Sequence, residues 1–292
     1  TKGKEARLAQ LGSTVLFLAL ALSVYSGASS LLGARYKRPR LMESGMYATY
    51  LLPVILLIAV LVLIAAFIAH EFNIAYVAEH SNRAMRSQYT WVAFYSGNEG
   101  SLLYIAFSLS AIGALALYKS PAAIKEAVPY INIVVMMVLM FFLAIMAFLA
   151  NPFTTTQIVP EDGQGINPLL THPGMFIHPP IMMLGLIAVT IPFAFATGAL
   201  LANKTEDQWV DVSRTWALVA WVLLGLGLLL GGWWAYTILG WGGYWGWDPV
   251  ENSGLMPFLG LTAFVHSIMV QKRRGMFRMW NIALINITFL LA

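Results

Sequence analysis

Residues 51–68, LLPVILLIAVLVLIAAFI, form an uninterrupted run of apolar residues. The run approaches the roughly 20 residues that an α-helix needs to cross a bilayer. Comparable runs recur along the 292-residue chain, which is 59% hydrophobic and only 10% charged. The runs do not alternate between apolar and polar residues, as the strands of a membrane β-barrel do. The sequence therefore predicts an all-α, polytopic integral membrane protein.

The apolar runs predict eight transmembrane helices. They fall at residues 9–33, 48–70, 101–118, 129–150, 179–202, 215–232, 254–271 and from 279 onward. The last run is still apolar where the sequence stops. We therefore expect the chain to be the N-terminal part of a longer protein.

The chain is predicted to divide into three parts. Residues 1–232 hold transmembrane helices and two long loops, 71–100 and 151–178. Residues 233–253 form a loop rich in Trp, and residues 254–292 hold further helices. The loop at 71–100 mixes apolar and polar residues, so part of it is expected to lie on the membrane surface as an amphipathic helix.

The distribution of Lys and Arg predicts the orientation in the membrane. The loops after the first, third, fifth and seventh runs contain twelve of these residues, and those after the second, fourth and sixth contain two. Cytoplasmic loops carry the excess of positive charge, so residues 71–100, 151–178 and 233–253 should lie outside. A basic balance of this kind does not indicate nucleic acid as a partner. The chain also has no Cys, so any thiol in its reaction must belong to a partner.

Residues 241–252, WGGYWGWDPVEN, belong to an unusual cluster of aromatic residues and glycines. Five of the ten Trp fall between residues 233 and 247. Such rings could anchor helix ends at the membrane interface, but an anchoring belt would spread over several helices. The clustering favours a platform for a large, flat, apolar ligand. Its candidate residues are Trp233, Trp234, Trp241, Tyr244, Trp245 and Trp247.

The two carboxylates after the aromatic residues have a structural interpretation. Asp248 can cap a helix that has Pro249 at its first position and Glu251 three residues after the cap. This capping box is favoured over a catalytic role. Asp248 would then end the aromatic loop and hold its edge in place.

Two of the five His residues are candidate haem ligands. His266 lies within an apolar helix, where an ionisable residue indicates function, although a neighbouring carbonyl could also satisfy it. His178 precedes Pro179 and Pro180, which make its position rigid, although a His before a helix is usually unremarkable. Asp248 and His266 are 18 residues apart, about 27 Å along a helix. One porphyrin cannot bind both His178 and His266, so two ligands would mean two haems.

Three motifs resemble one family in the same order along the chain. WGGYWGWDPVEN resembles the WWD motif of the haem-handling superfamily. Its continuation VENSGLMPF, together with NPLLTHPGMFIHPPIMMLG and YVAEHSNRAM…YSGNEGSLL, resembles the CcmF family, the haem lyase component of system I cytochrome c maturation. The resemblance covers most of residues 15–292.

The resemblance implies an enzyme activity and a set of partners. The family attaches haem through thioether bonds to the CxxCH cysteines of apocytochrome c, at the periplasmic face of the bacterial cytoplasmic membrane. Its haem arrives on a membrane-tethered haem chaperone. Further implied partners are the subunits that reduce and present the apocytochrome thiols, membrane quinol and the lipid bilayer.

The resemblance also implies roles for single residues. His178 corresponds to one of two outer ligands of the delivered haem, and His266 to one of two ligands of a resident haem b. The stretch from Trp233 to Asn252, including Asp248, corresponds to the region that holds the delivered haem. The second His of each pair would come from helices that this chain does not contain. The chain departs from the family pattern at two positions: Gly246 stands where a bulky aromatic residue is usual, and Tyr95 stands where a Trp is usual.

Three alternatives compete with this interpretation. The nearest is a WWD protein that exports haem or loads the chaperone without making thioether bonds. A respiratory subunit that moves ions would place several charged groups in its helices, whereas His266 is almost alone here. A structural scaffold of the maturation complex would bind no haem, and an absorption spectrum would identify it.

Overall fold

The computed structural model describes residues 2–205, 207–240 and 242–292, and this part of the chain is almost entirely helical. Short 3-10 turns and irregular loops connect the helices. The helices are α1 (Lys2–Arg35), α2 (Pro39–Ile68), α3 (Ala75–His80), α4 (Thr90–Tyr95), α5 (Asn98–Tyr118), α6 (Val128–Phe148), α7 (His178–Ala188), α8 (Thr190–Leu201), α9 (Val210–Ile238), α10 (Pro249–Arg274) and α11 (Arg278–Leu291).

Within the described residues, seven helical segments are long and apolar enough to cross a membrane. The prediction of an all-α polytopic membrane protein is therefore confirmed. These segments correspond to the first seven of the eight predicted runs. The eighth run forms α11, of which the sequence contains 14 residues.

The predicted helix at 179–202 consists of two helices that meet at Val189. Pro192 has no N–H group, so the carbonyl of Ala188 loses its helical hydrogen bond at this point. Val189 instead donates a 3.2 Å bond to the carbonyl of Leu186, which tightens the turn between α7 and α8. The two helices still form one span with the preceding turn, Pro173–Leu201.

Helix α9 packs against its neighbours through one narrow stripe. Its buried residues recur at intervals of three and four, which is the spacing of one helix face. They are Val210, Ser213, Ala217, Ala220, Leu224 and Gly227. Most of them are small, so neighbouring helices can approach closely. The rest of α9 carries many exposed apolar side chains.

A buried polar cluster joins α1, α2 and α6. The Asn132 amide donates to the Ser26 and Ser30 hydroxyls at 3.0 and 2.8 Å, and its carbonyl oxygen accepts from Thr49 at 2.8 Å. Hydrogen bonds between helices stabilise packing in an apolar surrounding, where water cannot replace them. The cluster fixes these three helices relative to one another.

The helix connections lie at two opposite ends of the bundle. One end holds loops 36–38, 119–127 and 202–205, and the last of these leads toward α9. This end is called the basic face here, because its loops carry Lys37, Arg38, Lys119, Lys125 and Lys204. Loops 69–97 and 149–177 and the turn before α10 lie at the other end, here the aromatic face. The three regions predicted to share one side therefore do so.

The two long loops of the aromatic face form one hydrogen-bonded unit. Ile74 and Thr155 form an antiparallel bridge. Gln164 donates its N–H to the carbonyl of Ala78 at 2.7 Å, and Gly165 donates to that of Ser81 at 3.1 Å. Gly163 lies so close to the chain that a Cβ there would overlap the carbonyl oxygen of Ser81.

The amphipathic surface helix expected in residues 71–100 is not seen. This segment contains the two short helices α3 and α4, and four consecutive residues of α4 (Val92, Ala93, Phe94 and Tyr95) are buried in the core. The apolar residues of the loop pack onto the ends of the transmembrane helices. The loop is therefore a packed cap on the bundle.

Candidate functional site

The site begins with a close contact between α7 and α9. A Cβ added to Gly185 would lie 2.8 Å from the Leu224 nitrogen, and one added to Gly231 would lie 2.7 Å from Cε1 of His178. Gly227 and Gly231 are four residues apart, the spacing that lets two membrane helices touch through their backbones. This contact places the first residue of α7, His178, directly against α9.

The His178 imidazole is held in one orientation and one tautomer. Its Nδ1 lies 2.9 Å from the carbonyl oxygen of Gly227. A carbonyl only accepts hydrogen bonds, so Nδ1 carries the proton and Nε2 keeps its lone pair. The ring is half-buried, and Nε2 has no hydrogen-bond partner among the described residues. An Nδ1–H bonded to a carbonyl is the usual support of a metal-ligating imidazole.

Aromatic residues of the cap and of helix α5 hold the backbone on both sides of His178. Tyr95 donates its hydroxyl to the carbonyl of Met175, and Trp91 donates its indole N–H to that of Phe176 at 3.3 Å. Tyr104 donates to the carbonyl of Pro180 at 3.1 Å. Burial raises the pKa of the Tyr95 hydroxyl, so this group stays protonated and remains a donor.

Sequence reasoning did not identify this support of His178. Trp91, Tyr95 and Tyr104 are 76 or more residues away from their acceptors along the chain. The available signal was an aromatic donor at Tyr95, within the segment YSGNEGSLL. The sequence showed this residue only as a departure from the family pattern and gave no indication of its acceptor.

His172 fastens loop 149–177 to the end of α9. Its Nδ1 accepts from the N–H of Gly174 at 3.0 Å, so its proton is on Nε2, which lies 3.4 Å from the Thr237 hydroxyl. The ring also packs against Trp233, with 5.1 Å between the centroids. Both nitrogens are therefore engaged, in contrast to those of His178.

The Trp-rich region is partly helix. The predicted loop at 233–253 begins later, because α9 continues to Ile238 and includes Trp233 and Trp234. The Trp233 side chain is 45% exposed, and Trp234 is half-buried with no acceptor for its indole N–H among the described residues. Both lie beside Gly174, where a Cβ would be 3.1 Å from the Trp233 ring.

The turn that follows α9 exposes further rings. Tyr244 is 75% and Trp247 68% exposed, while Trp245 is half-buried and packs edge-on against Trp247 at 6.2 Å. The predicted ring residue Trp241 lies outside the described residues. The backbone of this turn uses Gly242 at φ +68° and Trp247 at φ +56°, a left-handed conformation that is uncommon for a Trp. Exposed rings thus follow one another along the aromatic face.

Asp248 caps helix α10. Its Oδ1 accepts from the N–H of Glu251 at 2.7 Å, and Pro249 occupies the first helical position. Asn252 donates to the carbonyl of Trp247 at 2.9 Å. The predicted N-cap at Asp248 is confirmed, and it fixes the end of the aromatic turn. The reciprocal bond of a capping box, from the Glu251 side chain, is absent among the described residues.

His266 lies in the second half of α10, on its exposed side. Its Nδ1 is 2.7 Å from the carbonyl of Thr262, one turn earlier, so Nε2 again keeps its lone pair. Asp248 begins the helix 18 residues before it, which puts His266 about 27 Å from the aromatic face. His178 and His266 are therefore separate positions, and among the described residues no group of three or more His, Cys, Asp or Glu could hold a metal ion.

Comparison with known proteins gives consistent results. The sequence model described as Cytochrome C assembly protein matches residues 95–292. The chain is 37% identical to the cytochrome c-type biogenesis protein CcmF of Haemophilus influenzae, over 97% of the chain and 44% of that protein. It is 36% identical to CcmF of Escherichia coli K12, over 94% of the chain and 43% of that protein.

A solved structure gives the same relationship. The chain matches the cytochrome c haem lyase CcmF with a TM-score of 0.85 and 33% identity, over 97% of the chain and 46% of that structure. The chain thus spans less than half the length of these relatives. Because the family's sequence model covers more than half of the chain, the protein is a member of the cytochrome c assembly protein family.

Proposed function

We propose that this protein takes part in cytochrome c maturation as the haem-handling part of a haem lyase. It would receive haem at its aromatic face and promote thioether attachment to the CxxCH cysteines of apocytochrome c. The observation that carries the proposal is His178: a rigid imidazole whose Nδ1 is bonded to a carbonyl and whose Nε2 is left for a ligand. The names of the relatives, cytochrome c-type biogenesis protein and haem lyase, support it.

The residues around His178 fit haem as a substrate. An imidazole nitrogen with a free lone pair is a common axial ligand of haem iron. Exposed rings at Trp233, Tyr244 and Trp247 offer apolar faces to a flat macrocycle. The half-buried indoles of Trp234 and Trp245 keep unpaired N–H donors, which suit the negatively charged propionates.

The chain's contribution to the reaction is positioning. Addition of a thiol to a vinyl group breaks the S–H bond, joins sulfur to one vinyl carbon and places the hydrogen on the other, so no group leaves. Apolar burial alone is non-directional and would not fix which vinyl meets which cysteine. A bond from the rigid His178 ring would fix the porphyrin, and a well-oriented reactant pair gains much of its rate from that alignment.

His266 is proposed as one ligand of a resident haem b. Its exposed imidazole, with Nε2 free, suits a ligand whose counterpart lies outside this chain. Such a haem, when bound, would supply electrons to keep the delivered iron reduced, with membrane quinol as the donor. The other proposed partners are the haem chaperone, apocytochrome c and the subunits that present its thiols.

The aromatic face is proposed to be the periplasmic side of the bacterial cytoplasmic membrane. The excess of Lys and Arg at the opposite loops supports this orientation. A cysteine introduced at Gln164 should react with an impermeant maleimide in intact cells. Labelling of this site only after permeabilisation would reverse the orientation.

The proposed ligand role is tested by removing the imidazole. His178→Gly should lower the yield of holocytochrome c, and added imidazole should partly restore it by occupying the space of the lost ring. His70→Gly is a matched control, because His70 is on the same face and adopts φ +53°, which Gly tolerates better. Normal maturation with His178→Gly would refute the ligand role.

A further inference from the structure

A large cavity opens at the basic face, at the opposite end of the bundle from His178. Its volume is about 1090 Å³, slightly above the usual range of about 300–1,000 Å³ for small-molecule sites. It lies between the end of α1, the first turns of α2 and α6, the end of α8 and the turn before α9. Neither the haem-binding proposal nor the loops of the aromatic face use this space.

Positive charge predominates in the cavity wall. Three lysines, Lys37, Lys125 and Lys204, line it together with two carboxylates, Glu43 and Glu126. Glu126 lies 2.9 Å from Lys204, so these two charges largely offset each other. Two lysines then face one carboxylate, and the site favours an anion.

Lys37 adopts a backbone conformation that normally belongs to glycine. It has φ +53° at the end of α1, and the next residue, Arg38, donates its N–H back to the carbonyl of Gly33 at 2.9 Å. This helix-ending motif favours Gly, and another residue there costs about 1 kcal/mol. The chain thus holds a cation at the cavity in a position where local stability would favour Gly.

Trp209 supplies a second, independent sign of a ligand. Its side chain lines the cavity and is only 1% exposed, yet its indole N–H has no acceptor among the described residues. Buried donors normally have a partner, and an unpaired one costs about 1–3 kcal/mol. The nitrogen is covered in this conformation, so an oxygen of a bound ligand would satisfy this group after a small movement of the cavity wall.

The rest of the wall is apolar and aromatic. Met42, Met46 and Val128 contribute apolar surface, and Tyr50 and Tyr130 contribute rings of the kind that collect at the level of lipid headgroups. A free inorganic anion would leave this apolar surface in contact with water. A ligand with an anionic head and hydrocarbon chains would contact both parts of the wall.

We propose that this cavity binds an anionic phospholipid of the adjacent leaflet. Its phosphate lies between Lys37 and Lys125 and accepts from the Trp209 indole, and its acyl chains follow the methionines. Basic pockets between membrane helices bind acidic headgroups in this way. Because the cavity is far from His178, the lipid acts as a structural ligand at the ends of α1, α2, α6 and α8.

Native mass spectrometry of the full-length protein tests the proposal. The protein is released from nanodiscs of phosphatidylglycerol or of phosphatidylcholine, and bound lipid is counted. One phosphatidylglycerol should remain per chain, and Lys37→Gln combined with Lys125→Gln should weaken its binding about thirtyfold. Lys119→Gln removes a charge at the same face outside the cavity wall and should leave binding unchanged.

Further arms separate the possible ligands. Trp209→Phe removes the N–H together with part of the indole ring, so the lipid-free protein should lose some thermal stability. Phosphatidylglycerol binding by the folded protein should also weaken, because the donor is gone. Glycerol 3-phosphate should compete poorly, and effective competition would replace the lipid by a free phosphate. Three outcomes would overturn the proposal. Phosphatidylcholine could be retained equally well, a short-chain quinone could displace the lipid, or Lys119→Gln could weaken binding as much as the double variant does.

Discussion

Replacing Gly231 by Ala should damage haem attachment much more than it damages the fold. The new Cβ would lie 2.7 Å from Cε1 of His178, 3.2 Å from Nε2 and 3.3 Å from Nδ1. Ordinary contact between such atoms begins near 3.4 Å. The imidazole must therefore move by less than about 1 Å, or α7 must separate from α9.

The cost to stability should be small. Overpacking of this size costs about 1–3 kcal/mol, and the better helix propensity of Ala returns about 1 kcal/mol. The cost to function should be larger, because a misplacement of about 1 Å at a reacting group can lower a rate about a hundredfold. The shift also weakens the bond from Nδ1 to the carbonyl of Gly227 that fixes the ring.

The adjacent glycine provides the control. A Cβ on Gly232 would have nothing within 4 Å, so Gly232→Ala gains helix propensity without a clash. Holocytochrome c yield is measured by haem stain in cells, alongside the melting temperature of each purified protein. Equal yields from the two variants would show that the position of His178 does not limit the reaction.

Four further changes test other parts of the structure. Tyr95→Phe leaves a buried carbonyl unpaired, which should cost about 1–3 kcal/mol and lower maturation, and purified protein of wild-type stability would contradict this. Asp248→Ala should cost about 1 kcal/mol by removing the helix cap and should expose the aromatic turn to protease, whereas Asp248→Asn should not. Hydrogen bonds from the N–H groups of Arg83 and Gly163 lower the pKa of Asp162, so this loop contact contributes stability above the carboxyl's unfolded pKa. The contribution is lost as the pH falls through the folded value, and cleavage of loop 149–177 should rise there, but not in Asp162→Asn. His266→Ala should abolish the low-spin haem spectrum of the complete protein, and an unchanged spectrum would remove the proposed haem b ligand.

Local features of the sequence predicted most of the helices and one end of the site. Long apolar runs predicted the spanning helices, because a single segment inside a bilayer can satisfy its own backbone hydrogen bonds only as a helix. The cap at Asp248 was predictable because its partner, Glu251, is only three residues away. The break at Val189 depends on Pro192, and a single proline in a long apolar run does not show whether the helix bends or divides there.

The support of His178 could not be predicted in the same way. The acceptor of its ring, Gly227, lies 49 positions away in the chain, and Tyr95, which bonds to the carbonyl of Met175, lies 83 positions away from His178. Only the packing of α7 between α9 and the cap brings them together. The two prolines after His178 indicated a rigid backbone but not what the ring contacts. The folding of loop 69–97 into a packed cap likewise depends on contacts with loop 149–177.

The buried stripe of α9 has a consequence for how this helix can vary in evolution. At stripe positions the allowed change is limited by volume: Ala220 is buried, and a Cβ on Gly227 would lie 3.0 Å from the Met182 Cα. At exposed positions such as Leu226 and Leu229 the limit is polarity, and size is free. In a library of α9 variants, tolerance to larger side chains and tolerance to polar side chains should therefore both vary with the helical period of about 3.6 residues. The two should be opposite in phase, because the positions that restrict volume and those that restrict polarity lie on opposite faces of the helix.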